Sequence, residues 1–174
     1  MCIQPKNVLW PTDFSPLSLK GAQYAVGFST AFRSRLHVMH VCPVLTWSDN
    51  TMFLMTGGDK VVSEVEVLPA AKAQLQRLLA EQFDDSSAIV SAVVLGTPWY
   101  EICRYARDQQ IDLIVIATHG ATGLRHLLMG STAERVVQHA HAPVLAVKSI
   151  ERDFIREHEM EKSDSIHSSL AATT

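Results

Sequence analysis

Five short apolar runs, each divided from the next by a stretch of helical periodicity, leave this chain few folds to adopt. The runs are Val8-Leu9-Trp10, Arg35 to Val41, Ala88 to Leu95, Asp112 to Ala117 and Val144 to Lys148. They are apolar almost throughout rather than on alternate residues, as expected of strands covered on both faces. Between them, Leu19, Ala22, Ala25, Val26 and Phe32 recur at helical spacing over residues 16–32. A second stripe, Ala71, Leu75, Leu78, Leu79 and Gln82, marks a helix over residues 61–83, with Pro69 suggesting an interruption near its start. Pro98 opens a third helix through Gln109, and Ser131 to His139 forms a fourth. Strands alternating with helices join by right-handed crossovers into a parallel sheet. The expected fold is α/β: an open, doubly wound, five-stranded parallel sheet with helices on both faces, Rossmann-like. Pro43 is expected to close the second strand, and residues 43–60, with Trp47, Met52 to Met55 and Gly57-Gly58, read as a mobile loop with an apolar tip.

The chain has 174 residues, 47% of them apolar and 19% charged, which suits one domain with a real core and excludes a disordered polymer. No apolar run approaches the ~20 residues of a membrane span, and the N-terminus lacks secretory features, so a cytoplasmic protein without membrane contact is expected. Three cysteines, Cys2, Cys42 and Cys103, without a C-x-x-C pair, read as buried reduced thiols. The net charge of −3 falls entirely after Ile150, where 6 acidic and 3 basic residues lie; the body is balanced at 12 and 12. A balanced body gives nucleic-acid binding little support. The expected organisation is a domain over residues 1–150 and a polar appendage over 151–174.

In a doubly wound sheet, ligands bind beyond the carboxyl ends of the strands, where the winding reverses. The loops to weigh are Pro11 to Ser15, Cys42 onward, Gly96 onward and Thr118 to Gly130. Asp13 can accept hydrogen bonds from a ribose or an adenine edge, and Thr12 and His119 stand in the same two loops. Gly120, Gly123 and Gly130 lack Cβ atoms and let backbone N–H groups approach phosphates. Ser131 and Thr132 add hydroxyls at a helix start, where the dipole favours an anion. Ser131 with Glu134 also fits a capping box, which needs no ligand. Arg125 serves equally as a screen for phosphate charge or as a solvated helix residue.

These residues resemble the universal stress protein family. The likeness rests on V-L-W-P-T-D-F-S near the start, on T-H-G-A-T-G-L-R-H-L-L-M-G-S-T-A-E-R-V-V and on H-A-P-V-L-A-V-K, and covers residues 6–148. It implies ATP as ligand, accompanied by a divalent ion such as Mg or Mn, with Pro11, Asp13 and Val41 at the adenine and ribose end and Gly120, Gly130, Ser131 and Thr132 at the phosphates. ATP-binding members carry G-x-x-G, nine residues, then G-S or G-T; here Ala117 replaces the first glycine, which disfavours positive φ and brings a methyl near the nucleotide. The resemblance also implies a homodimer through the last strand, Val144 to Lys148, and regulation of a protein partner that the sequence does not identify.

Other chemistries lack their residues. There is no G-x-x-x-x-G-K-[ST], no G-x-G-x-x-G after the first strand and no G-x-S-x-G. His119, His126, His139 and His141 lack metal-ligand spacing. Phosphoryl transfer needs a positioned metal, a nucleophile or water-orienting group and charge stabilisation, whereas this loop offers mostly backbone donors and hydroxyls, so ATP is expected to be held more than consumed. The leading expectation is an ATP-binding regulatory module of a stress response. Its rivals are a nucleotide-free dimeric interaction protein and a slow ATPase.

Overall fold

The computed structural model describes residues 4–46, 52–54, 64–83, 89–119 and 129–148. Along these run β1 (Asn7–Pro11), α1 (Pro16–Phe32), β2 (Arg35–Thr46), β3 (Met52–Leu54), α2 (Glu64–Gln82), β4 (Val90–Gly96), α3 (Pro98–Asp108), β5 (Leu113–Ala117), α4 (Ser131–His139) and β6 (Val144–Val147). β1 lies between β2 and β5, β4 pairs with the far side of β2, and β6 with the far side of β5, all in parallel. The chain thus winds outward from β1 through β2 to β4, returns, and winds the other way through β5 to β6. The reversal falls between β1 and β5, as expected of a doubly wound sheet.

Side-chain alternation along the central strands divides the core into two layers. Val8 and Trp10 of β1, with Leu36 and Val38 of β2, meet Ala22, Tyr24 and Ala25 of α1 and Leu75, Leu78 and Leu79 of α2. Leu9, Met39 and Val41 point the other way, against Ile102, Cys103 and Ala106 of α3 and Ala133 and Val136 of α4. Burial on both faces is why the runs are continuously apolar instead of alternating. Cys42 and Cys103 are buried free thiols whose pKa values burial raises.

Two prolines act differently from expectation. Pro43 does not close β2: it pairs opposite Gly96 beyond Met39, the last β2 residue that faces β1, so its missing N–H falls where only one parallel neighbour remains. The strand runs on, and Val44 to Thr46 pair antiparallel with β3, which places a strand inside the segment expected to be a loop. Residues 47–51 and 55–60 lie outside the described residues. Pro69 sits within α2 without ending it. It removes one backbone bond near the helix start, and the buried Ala71, Leu75, Leu78 and Leu79 that follow hold the helix on the sheet. At the end of β4, Gly96 has φ +150°, and a Cβ there would stand 2.8 Å from Glu101 Cγ, so this turn requires glycine.

Candidate functional site

Loop one leaves β1 at the switch point and is fixed from three sides. The Thr12 N–H donates to the Met39 carbonyl (2.8 Å), continuing the pairing of β1 with β2. The Thr12 hydroxyl, on a residue only 5% exposed, accepts from the Phe14 N–H (3.1 Å) and from the Ser18 hydroxyl (3.0 Å). Asp13 Oδ1 accepts from the Ser15 N–H (3.0 Å), an Asx-type turn, and Ser15 Oγ in turn accepts from the Ser18 N–H (3.2 Å) as the N-cap of α1. Pro16 then opens the helix with its φ already set. Beneath the loop, the buried Trp10 indole N–H donates to the Ser18 carbonyl (3.0 Å).

The third support comes from β2. His40 Nδ1 lies 2.8 Å from the Thr12 carbonyl, and its ring centroid is 4.4 Å from that of Phe14. A carbonyl only accepts, so Nδ1 carries the proton. Burial lowers the His40 pKa, while the Thr12 carbonyl and the Asp13 carboxylate oppose that shift. Phe14 itself has φ 63°, a left-handed backbone that an aromatic residue adopts only when its surroundings enforce it.

Loop two leaves β5, the neighbour of β1. Thr118 is fully buried; its N–H donates to the Val147 carbonyl (2.8 Å), and its hydroxyl lies 3.1 Å from His119 Nδ1. The chain then returns to this strand end: the Gly130 N–H donates to the Thr118 carbonyl at 2.6 Å. The Gly130 backbone, at φ −72° and ψ 153°, suits any residue, so glycine matters here for space. A Cβ at this position would stand 3.2 Å from the Thr118 carbonyl oxygen and 3.7 Å from His119 Cα.

The capping-box alternative is corrected by this geometry. Gly130, not Ser131, is the N-cap of α4, and the Glu134 N–H bonds to the Gly130 carbonyl (2.9 Å). Ser131 is therefore inside the helix, one residue too late to cap it. The N–H groups of Ser131, Thr132 and Ala133 precede that first helical bond and have no helical acceptor of their own, the arrangement that makes a helix start receptive to anions.

Position 117 is also corrected. Ala117 lies in β5 paired with Val147 and is 8% exposed; the described non-glycine residues with positive φ are Phe14, Arg33 and Gln110. Extended backbone at residue 117 asks nothing of glycine.

Of the residues anticipated from sequence, Pro11, Thr12 and Asp13 at the end of β1 and Ala117 and His119 at the end of β5 come to neighbouring strand ends. Gly130, Ser131 and Thr132 are drawn to the β5 end by the bond to Thr118. Val41 is buried in β2 opposite Val94, on the side of the sheet that α3 and α4 cover. Gly120, Gly123, Arg125 and His126 lie outside the described residues. Among the described residues, no group of three or more His, Cys, Asp or Glu side chains could hold a metal ion, and no helix is long and apolar enough to cross a membrane. Sequence reasoning placed Ser15 and Thr118 in the loops to weigh without giving either a role, and passed over Ser18 and His40. One signal was available: a histidine between the apolar residues Met39 and Val41 of a strand needs a polar partner, and His40 finds it in the carbonyl of Thr12.

A doubly wound sheet with a side-chain-braced turn after its first strand and a glycine-capped helix start after its fifth defines an α/β protein of nucleotide-binding type. The sequence profile of the universal stress protein family matches residues 5–148, and the chain belongs to that family. Universal stress protein MJ0531 of Methanocaldococcus jannaschii is 32% identical over 149 residues, covering 85% of each chain. Universal stress protein MJ0577 of the same organism is 28% identical over 158 residues, covering 85% of this chain and 98% of its own. Among solved structures, UspA of Lactobacillus plantarum superposes with a TM-score of 0.68 at 25% identity, covering 84% of this chain and 99% of its own. A universal stress protein in complex with cAMP shares the fold, with a TM-score of 0.59 at 20% identity, covering 83% and 98%.

Proposed function

We propose that this protein is an ATP-binding regulatory module of a cytoplasmic stress response. The observation that carries the reading is the hydrogen bond from Gly130 to the Thr118 carbonyl, which brings the start of α4 to the end of β5, beside the loop that carries Asp13. In this reading Pro11, Thr12, Asp13 and Val41 take the adenosine half. Ala117, His119, Gly120, Gly123, Gly130, Ser131 and Thr132 take the phosphates, with Arg125 screening their charge. The relative solved with cAMP supports an adenine nucleotide as the ligand class. A divalent ion, Mg or Mn, would be bound chiefly by the phosphates and water. The glycine loop offers mostly backbone donors and hydroxyls, so in this reading the nucleotide is held more than consumed, and occupancy is the signal.

Residues 1–150 act as one domain in this reading, and residues 151–174 as an appendage to it. Among the described residues β6 is an edge of the sheet, and Val144, Leu145 and Ala146 are half-buried there. An edge with free hydrogen-bonding groups favours a homodimer through this strand. Sedimentation at micromolar protein should give twice the mass of the chain, and a monomer would remove the dimer from the proposal.

Equilibrium titration with ATP, and with cAMP in parallel, tests the ligand. Saturable binding of ATP is expected; no saturation at millimolar concentrations sinks the reading and leaves the nucleotide-free interaction protein, which the methyl of Ala117 at the end of β5 favours.

A further inference from the structure

We infer that His40 is a positioning residue of the nucleotide site, holding loop one in the one conformation that presents Asp13 to the adenosine half of the ligand. The inference rests on the ligand reading proposed above and goes past it, because His40 sits in β2, outside both ligand loops. Four observations converge. The His40 Nδ1–H bond to the Thr12 carbonyl is short, at 2.8 Å. The Thr12 N–H bonds to Met39, the residue next to His40, so both backbone polar groups of Thr12 are tied to two successive residues of β2. The His40 ring lies 4.4 Å from that of Phe14 and packs against the one residue of the loop whose backbone is left-handed, at φ 63°. Asp13 stands between Thr12 and Phe14 in the chain, so its carboxylate is carried on a backbone clamped on each side by the same imidazole.

A side chain that pins the residues before and after a ligand group, without being that group, acts by preorganisation. Without it, Thr12 to Phe14 can relax toward ordinary backbone angles, and the ligand must restore the turn at its own expense. The chemistry also predicts which ligands feel the loss. ATP and adenosine engage the Asp13 loop, whereas inorganic tripolyphosphate engages the α4 start and not the turn that His40 braces.

The test compares wild type, His40→Leu and His40→Asn by calorimetric titration with ATP, adenosine and tripolyphosphate, with thermal melts to confirm folding. Leucine removes the donor, whereas the asparagine amide N–H occupies nearly the place of Nδ1–H. His40→Leu should weaken ATP and adenosine by roughly three- to tenfold, the worth of one net hydrogen bond, and leave tripolyphosphate unchanged. His40→Asn should recover most of the loss. Equal binding of ATP by wild type and His40→Leu overturns the inference, as does a parallel loss for tripolyphosphate or no recovery with asparagine. If neither replacement folds, Phe14→Leu tests the same clamp from its other partner; it should weaken adenosine and spare tripolyphosphate, and unchanged adenosine affinity overturns the inference. Wild-type protein that binds no ATP ends the ligand reading itself, and the role of His40 falls with it.

Discussion

The described residues of the two loops at the switch point are braced in different proportions by side chain and main chain. After β1, one main-chain bond from Thr12 to Met39 is joined by a set of side chains: Thr12, Asp13, Ser15, Ser18 and His40 each contribute a hydrogen bond, and Trp10 supports the turn from below. After β5, the return to α4 is held by main chain, through the Thr118 to Val147 and Gly130 to Thr118 bonds. A side-chain brace makes a turn sensitive to the loss of polar atoms. A main-chain brace makes it sensitive to the addition of carbon. The two halves should therefore fail under opposite substitutions.

The largest effects should come from violating each rule in turn. Thr12→Val keeps the shape of the side chain but strands the part-buried Phe14 N–H and the buried Ser18 hydroxyl, and should cost about 1–3 kcal/mol in denaturant unfolding. Gly130→Val should cost a comparable ~1–3 kcal/mol by overpacking, because even a Cβ would stand 3.2 Å from the Thr118 oxygen. It should also abolish saturable ATP binding in titration, and retention of binding would show that the close approach is irrelevant to the ligand. Ser15→Ala removes the N-cap of α1 and should cost about 1 kcal/mol in the same unfolding assay.

Acidification should act on the side-chain-braced loop and its neighbour. His37 is 2% exposed, with Nδ1 3.0 Å from the Tyr105 hydroxyl, and burial first, then Arg35, lowers its pKa; burial likewise lowers that of His40. The folded state thus binds these protons less readily than the unfolded chain, whose histidines titrate near ~6.5. Stability should be complete above that pH and decline as pH falls through it. Denaturation midpoints measured from pH 8 to 5 check this, and a flat profile would contradict the assignment. The smallest effect should come from Ser131→Ala: as an exposed residue inside α4 it caps nothing, so stability should move by less than about 0.5 kcal/mol. A loss near that of Ser15→Ala would restore the capping role that the geometry denies it.

The fold was largely legible in the sequence because two-sided burial leaves continuous apolar runs, and a helix with strong signals at its start, such as α1 from Pro16 to Phe32, falls where periodicity puts it. Proline was misleading at both points where tertiary context offset its missing N–H: at Pro43, where β2 is bounded by one parallel strand, and at Pro69, where packing further along carries the helix. The site was legible to the extent that its residue types are local. Asp13 after a strand and Gly130 before a helix announce themselves, and both stand at strand or helix ends. The Ser131-x-x-Glu134 pattern misled by one residue, because a cap is decided by where the chain comes back to the sheet, and the Thr118 carbonyl fixes that return at Gly130. His40 could not be tied to Thr12 in advance, since only the parallel register of β1 on β2 brings those two residues side by side.

One small residue bears on both halves together. Gly21 in α1 faces the Trp10 indole and the Ala117 amide, and a Cβ there would rest 3.6 Å from the first and 3.9 Å from the second, ordinary contact with nothing to spare beyond it. A methyl at position 21 fits as a shim; a longer side chain is a wedge, and it would prise the helix away from the two central strands together. The gauge of the crevice is thus set by a position that carries no polar chemistry.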